Sequence, residues 1–285
     1  MAFAPRPAPA TGEASAPALS VLAGSHLSLD GRSGQSPRLD DVSVRLESGQ
    51  VAAIVGPNGA GKSSLLAVLA GILRPRTGDV RLDGRSLLTL PRPHLARSVA
   101  AVGPWTLPDS GLTVREVVAL GRVGQRASVW QDPAVAGAGA VRDALAATHL
   151  EALAGAPLGT LSAGERQRAR LAAALAQGAR FLLLDEPTAS LDPGHAQEAM
   201  TLLVQLARGG HGIGVVLHDL TAAGQFADVV HLMAQGRVRA AGGTTTILEP
   251  GLLREAYGTS FDVFPHPLSG RPVVVWAAAA TLGNG

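Results

Sequence analysis

"QVAAIVGPNGAGKSSLLAVLAGIL", residues 50–73, changes character twice within 24 residues. It opens as a continuous apolar run, the mark of a strand covered on both faces. A loop with glycines at 56, 59 and 61 follows. From Lys62 the pattern is that of a helix, expected to close near Arg74–Pro75. Of the 24 Lys and Arg residues in the chain, only Lys62 is a lysine. The loop therefore keeps an ammonium where the rest of the chain uses guanidinium groups.

Gly56, Gly61, Lys62 and Ser63 fit the phosphate-loop pattern G-x-x-x-x-G-K-S/T. The backbone through Gly56, Pro57, Asn58, Gly59, Ala60, Gly61, Lys62, Ser63 and Ser64 is expected to wrap nucleotide phosphates. Glycines allow the close approach, and the helix N-terminus adds partial positive charge. Lys62 brings a compact charge on a flexible stem, suited to a narrow cradle between β- and γ-phosphates. Arginine's planar fork does not fit such a cradle. The Ser63 hydroxyl is a candidate ligand for Mg²⁺.

Composition narrows the partners. The net charge is only +2, and the densest basic group, "RQRAR" (166–170), reads as a solvated helix face. Nucleic acid is therefore not an expected partner. Without cysteine there is no disulfide or thiolate chemistry. No run of 18 apolar residues exists to span a membrane. Residues 1–17 are Pro/Ala-rich and read as a disordered tail rather than a signal peptide. A cytoplasmic protein is expected.

The rest of the chain alternates strand and helix patterns. "SHLSLDG" and "LDDVSVRLESG" read as half-buried strands, and "GDVRLDG" as a short one. "TVREVVALGR" carries a Thr113/Glu116 capping box. Residues 122–140 read as loop, followed by a helix through "VRDALAATHLEALA", so about 105–178 forms a mostly helical insertion. "RFLLLDEP" and "GIGVVLHDL" read as buried strands. Between them a helix begins with Asp192 as cap and Pro193 at its first position. "ADVVHLMAQGRVRAAG" reads as a hairpin turning at Gln235–Gly236. Strands alternating with helices imply an α/β core with a mainly parallel sheet. In "FLLLDEP" the apolar run carries Asp185 to the carboxyl end of its strand, where such sheets hold ligands. Asp185 is a candidate Mg²⁺ ligand, directly or through water, and Glu186 a candidate general base.

"LSAGERQRARLAAALAQ" (161–177) opens with a second capping box, Ser162 and Glu165. Standing about 20 residues before "LLLDEP", it resembles the signature motif of ABC-type ATPases, usually LSGGQ. Ser190, Leu191 and Asp192 resemble the D-loop of that family, and His218 its switch histidine, which meets the γ-phosphate. The resemblance covers residues 18–275, leaving 276–285 as a C-terminal tail. It implies a P-loop NTPase fold of ABC type, with an N-terminal antiparallel β region and an inserted helical subdomain. It implies a Mg-dependent ATPase working as a head-to-tail dimer. Each ATP then lies between one copy's phosphate loop and the signature helix of the other, at Ser162, Gly164 and Glu165, with Asp192 nearby. "TVREVVALGR" and "LLREAYGTSFDVFPHPLSGRPVVV" resemble ATPases of importers for iron–siderophore complexes, haem and cobalamin. That branch implies permease subunits and a substrate-binding protein as partners, and a place on the inner face of the plasma membrane.

Three positions depart from the family pattern. Ala163 replaces the first signature glycine. Gly31 stands where an aromatic usually stacks on adenine, and no aromatic occurs between Phe3 and Trp105. Trp105 stands where a glutamine usually reaches Mg²⁺, and residues 51–124 contain no glutamine at all. A subunit that binds nucleotide but hydrolyses it weakly stays open as an alternative. A soluble ABC ATPase of DNA repair or translation would need a coiled-coil insertion or tandem domains, and neither is present.

Overall fold

The computed structural model describes residues 19–31, 36–103, 111–125, 137–189 and 191–277. The alternating stretches near the start form β1 (Val21–Leu29) and β2 (Leu39–Glu47), an antiparallel pair. β3 (Val51–Val55) is buried at all five positions, as its unbroken apolar run requires. The helix after the loop, α1 (Lys62–Leu69), is shorter than expected. Its chain turns at Gly71, which takes the left-handed φ of 70° that a helix interior does not allow.

β4 (Thr77–Leu82) and β5 (Arg85–Ser86) complete a four-stranded antiparallel sheet of order β2-β1-β4-β5. α2 (Arg92–Ser98) leads into β6 (Val99–Val102), an element absent from the sequence reading. Four residues are too few to display a period.

Among the described residues, the α-helices that follow are α3 (Val114–Leu120), α4 (Ala138–Ala147) and α5 (Ala163–Gln177). They share a core of their own, including Val117, Val118, Leu145, Leu150 and Ala172. The capping boxes of α3 and α5 form with both of their reciprocal bonds. α4 stops at Ala147 instead of continuing through Ala154. The Thr148 hydroxyl bonds back to the Ala144 carbonyl at 2.9 Å, and His149 takes a left-handed φ of 54°.

β7 (Phe181–Asp185), α6 (Pro193–Arg208), β8 (Gly212–Val216), α7 (Leu220–Phe226), β9 (Val229–Ala234) and β10 (Arg237–Gly243) finish the main body. The larger sheet has the order β10-β9-β3-β8-β7-β6, parallel except for the β9–β10 hairpin. Apolar side chains cover both of its faces in two clusters. The strand order places the β3 and β8 ends side by side, with β7 next to β8. Their carboxyl ends therefore converge on one rim of the sheet.

The chain closes with α8 (Thr244–Ile247), α9 (Pro250–Tyr257) and a hairpin of β11 (Phe261–Pro265) and β12 (Pro272–Trp276). β12 runs one residue past the expected end of the ordered region at 275. Cross-strand partners hold it, with Trp276 opposite Phe261. The Thr221 hydroxyl on α7 bonds the Val274 carbonyl and amide at 2.8 and 3.0 Å, docking the hairpin. Among the described residues no helix is long and apolar enough to cross a membrane.

Candidate functional site

The loop between β3 and α1 requires glycine at two places. At Gly56 (φ 150°) an added Cβ would stand 2.1 Å from the Met233 carbonyl oxygen, and at Gly61 (φ 97°) 2.3 Å from that of Arg38. Both obstacles are backbone, so neither can swing aside. Gly61→Ala is expected to lower the thermal midpoint through at least the 1–3 kcal/mol or so that a misplaced backbone angle costs, read by calorimetry without nucleotide.

Lys62 begins α1 and is 5% exposed. Its ammonium donates to the Gly56 carbonyl at 2.7 Å and the Pro57 carbonyl at 3.0 Å, so the loop is folded around its own lysine. Burial pushes its pKa down, opposed by the negative charges of Glu186 and Asp185. Asp185 ends β7 and is itself buried at 8% exposure. Its pKa is pushed up by burial first, against a hydrogen bond from the Ser63 hydroxyl and, with a further upward push from Glu186, the positive charge of Lys62.

Asp185 Oδ1 is buried with no hydrogen-bond partner. An orphaned carboxylate oxygen is costly unless something positive meets it. With the Ser63 hydroxyl on the same carboxylate, the pair suits a Mg²⁺ ion. Among the described residues no group of three or more His, Cys, Asp or Glu gathers to form an all-protein metal cage. Mg²⁺ does not need one: it keeps waters and takes phosphate oxygens beside one or two protein ligands.

Glu186 follows directly and holds a left-handed φ of 52°, unusual outside glycine. Its amide donates to the Val216 carbonyl at 3.2 Å, tying the end of β7 to the end of β8. That tie sets Glu186 facing His218, two residues past β8. His218 Nε2 and Glu186 Oε1 are 2.6 Å apart. Strained backbone of this kind is a feature that functional sites retain.

Asn58 to Ser64, Glu186 and His218 line one cavity of about 830 Å³. A further wall is made by Ser36, Pro37, Arg38 and Asp40 with Gln235, Gly236, Arg237 and Arg239. The sequence reading missed this wall. Its available signal was two arginines alternating on a strand at the hairpin turn. Gly31 does not line the cavity.

The remaining expected site residues lie elsewhere in the single chain. Ser162, Gly164 and Glu165 sit at the start of α5, outside the cavity lining. Ser162 Oγ accepts from the Glu165 amide at 3.2 Å, and the Glu165 carboxylate accepts from the Ser162 amide at 2.8 Å. These bonds hold the Glu165 pKa down. Asp192 caps α6 through the His195 amide at 3.0 Å and is also outside the cavity. Ser190 and Trp105 lie outside the described residues.

Residues 39–189 match the ABC transporter family. The chain belongs to that family. Among ABC transporter proteins, the hemin import ATP-binding protein HmuV of Streptomyces coelicolor is 41% identical over 274 residues, covering 95% of this chain and 94% of that one. HmuV of Nocardia farcinica is 40% identical over 274 residues, covering 94% and 91%. The fold matches the dimeric structure of MJ0796, a bacterial ABC transporter cassette, with a TM-score of 0.70 at 24% identity, covering 78% of this chain and 98% of that one.

Proposed function

We propose that this chain binds and hydrolyses ATP as the energy-coupling subunit of an importer for haem or a related iron complex. The observation that carries the hydrolytic part is the Glu186–His218 contact at 2.6 Å on the wall of the cavity that Lys62 and Ser63 also line. A carboxylate there can take the proton of a water attacking the γ-phosphate. His218, once turned from the carboxylate to the phosphate, would hold the terminal oxygens. Lys62 would exchange its carbonyl partners for β- and γ-phosphate oxygens. Ser63 and Asp185 would hold Mg²⁺, which when bound neutralises phosphate charge.

The outlying position of Ser162 and Gly164 supports a head-to-tail pair of copies. In such a pair the α5 N-terminus of one copy would meet the nucleotide of the other, with partial positive charge and free amides to offer. Asp192 would then lie at the seam. The cargo reading rests on relatives near 40% identity that import hemin. It brings with it a membrane permease, a substrate-binding protein and a position on the inner face of the membrane.

Phosphate release from ATP by the purified chain, with and without Mg²⁺, tests the enzyme reading. Binding without turnover would instead support the weakly hydrolysing alternative, which the missing adenine aromatic and the missing glutamine in 51–124 favour. Haem uptake into vesicles containing the permease tests the cargo. Asp185→Asn is expected to raise the Mg²⁺ concentration for half-maximal nucleotide binding by at least about tenfold, the lower range for disturbing even an outer partner of a metal site. Nucleotide binding in the presence of a chelator should change much less. Equal Mg²⁺ dependence in both proteins would remove Asp185 from the metal site.

A further inference from the structure

Among the described residues, this further wall of the cavity contains no Phe, Tyr or Trp. It does contain two guanidinium groups held in place. Arg237 and Arg239 are both exposed on β10, on either side of Val238, where the pairing with β9 shifts register before Ala240. Arg237 donates through Nε and Nη2 to Asp40 Oδ2 at 3.0 and 2.6 Å. Arg239 Nη2 donates to Gln235 Oε1 at 2.6 Å. The Asp40 amide donates to the Gly236 carbonyl at 2.9 Å, fastening the start of β2 to the hairpin turn. The Arg237–Asp40 pair is about half exposed and so adds little stability. What it does is fix the plane of a guanidinium on the wall of the cavity that the phosphate loop also lines.

We infer that Arg237 and Arg239 form the platform on which the nucleotide base stacks, and that the site consequently takes ATP and GTP alike. This rests on the nucleotide reading above. A guanidinium is planar and delocalised and stacks on aromatic faces, which an ammonium does not do. Stacking is tolerant of base identity because every base presents a π-face. Telling adenine from guanine needs free donors and acceptors at the base edge. On this wall Asp40 Oδ2 is engaged by Arg237 and the Gln235 carbonyl oxygen by Arg239. Each guanidinium is bonded along part of its edge, which holds its plane at the wall.

The test is equilibrium binding of the β,γ-imido analogues of ATP and GTP, and of inorganic triphosphate, to the full chain with Mg²⁺. Inorganic triphosphate measures the phosphate contacts alone. The wild-type chain is expected to bind both analogues with affinities within about threefold of each other, and triphosphate about 5- to 150-fold more weakly, the range for base–aromatic stacking. Arg237→Lys combined with Arg239→Lys keeps both charges and removes both planes. It should lose most of the base-dependent factor and retain triphosphate binding. Arg237→Tyr combined with Arg239→Lys should recover the factor, because a ring replaces the plane. A tenfold or greater preference for one purine, or an undiminished base-dependent factor in the double lysine variant, overturns the inference while leaving the nucleotide reading intact. No binding of any of the three ligands to the wild-type chain overturns the nucleotide reading itself.

Discussion

Glu186→Gln is expected to cut ATP hydrolysis by about 100-fold or more, the range for removing a general base, while nucleotide binding survives. Glutamine keeps the shape of the side chain and a carbonyl oxygen that can still face His218, but it cannot accept the proton of the attacking water. It also removes a negative charge next to the place of the γ-phosphate. A longer-lived ATP-bound dimer should follow, visible as a shift in size-exclusion chromatography with ATP that the wild-type chain lacks. Turnover within about threefold of wild type would remove Glu186 from the role of base.

Lys62 should give the largest loss of affinity. In Lys62→Ala the Gly56 and Pro57 carbonyls lose their buried donor, and the phosphates lose the only ammonium in the chain. Hydrogen bonds to a charged group contribute about 1.5–3 kcal/mol each, so a loss of at least 10-fold in nucleotide affinity is expected, and up to about 150-fold from one such bond. Lys62→Arg should be nearly as damaging. Lys62 is 5% exposed and its ammonium is held within 3.0 Å of two backbone carbonyls, a geometry that suits a compact charge rather than a planar fork. Isothermal titration with ATP in the presence of Mg²⁺ reads both variants. An arginine variant with wild-type affinity would mean that charge alone matters at this position.

The distance along the chain over which each feature acts explains how early it was legible. Glu116 reaches Thr113, Glu165 reaches Ser162 and His195 reaches Asp192 across three residues, so spacing alone announces these helix starts. β3, β7 and β8 declare themselves as runs of apolar residues because both of their faces are covered. The phosphate loop is legible for a steric reason. Gly56 and Gly61 sit where carbonyl oxygens from distant segments leave no space for a Cβ, and one-letter code displays a missing side chain directly. By itself, then, the sequence determined the core strands, the phosphate loop and which side chains were candidates for the site.

Tertiary structure decided how those side chains meet. Glu186 and His218 are 32 residues apart and come together because β7 and β8 are neighbours in the sheet. Arg237 and Asp40 are 197 residues apart and share one cavity wall because the β9–β10 turn is fastened to β2. No local period encodes such meetings. They follow from strand order, which is set by how apolar faces and backbone hydrogen bonds are satisfied across the whole sheet. β6 escaped notice for the same reason, since four residues become a strand only when β7 offers an edge to pair with. The separation of Ser162 from the chain's own cavity, which the family resemblance implied, has a tertiary cause. The inserted helices carry a core of their own, and that core, rather than the spacing to Asp185, sets where the α5 N-terminus stands.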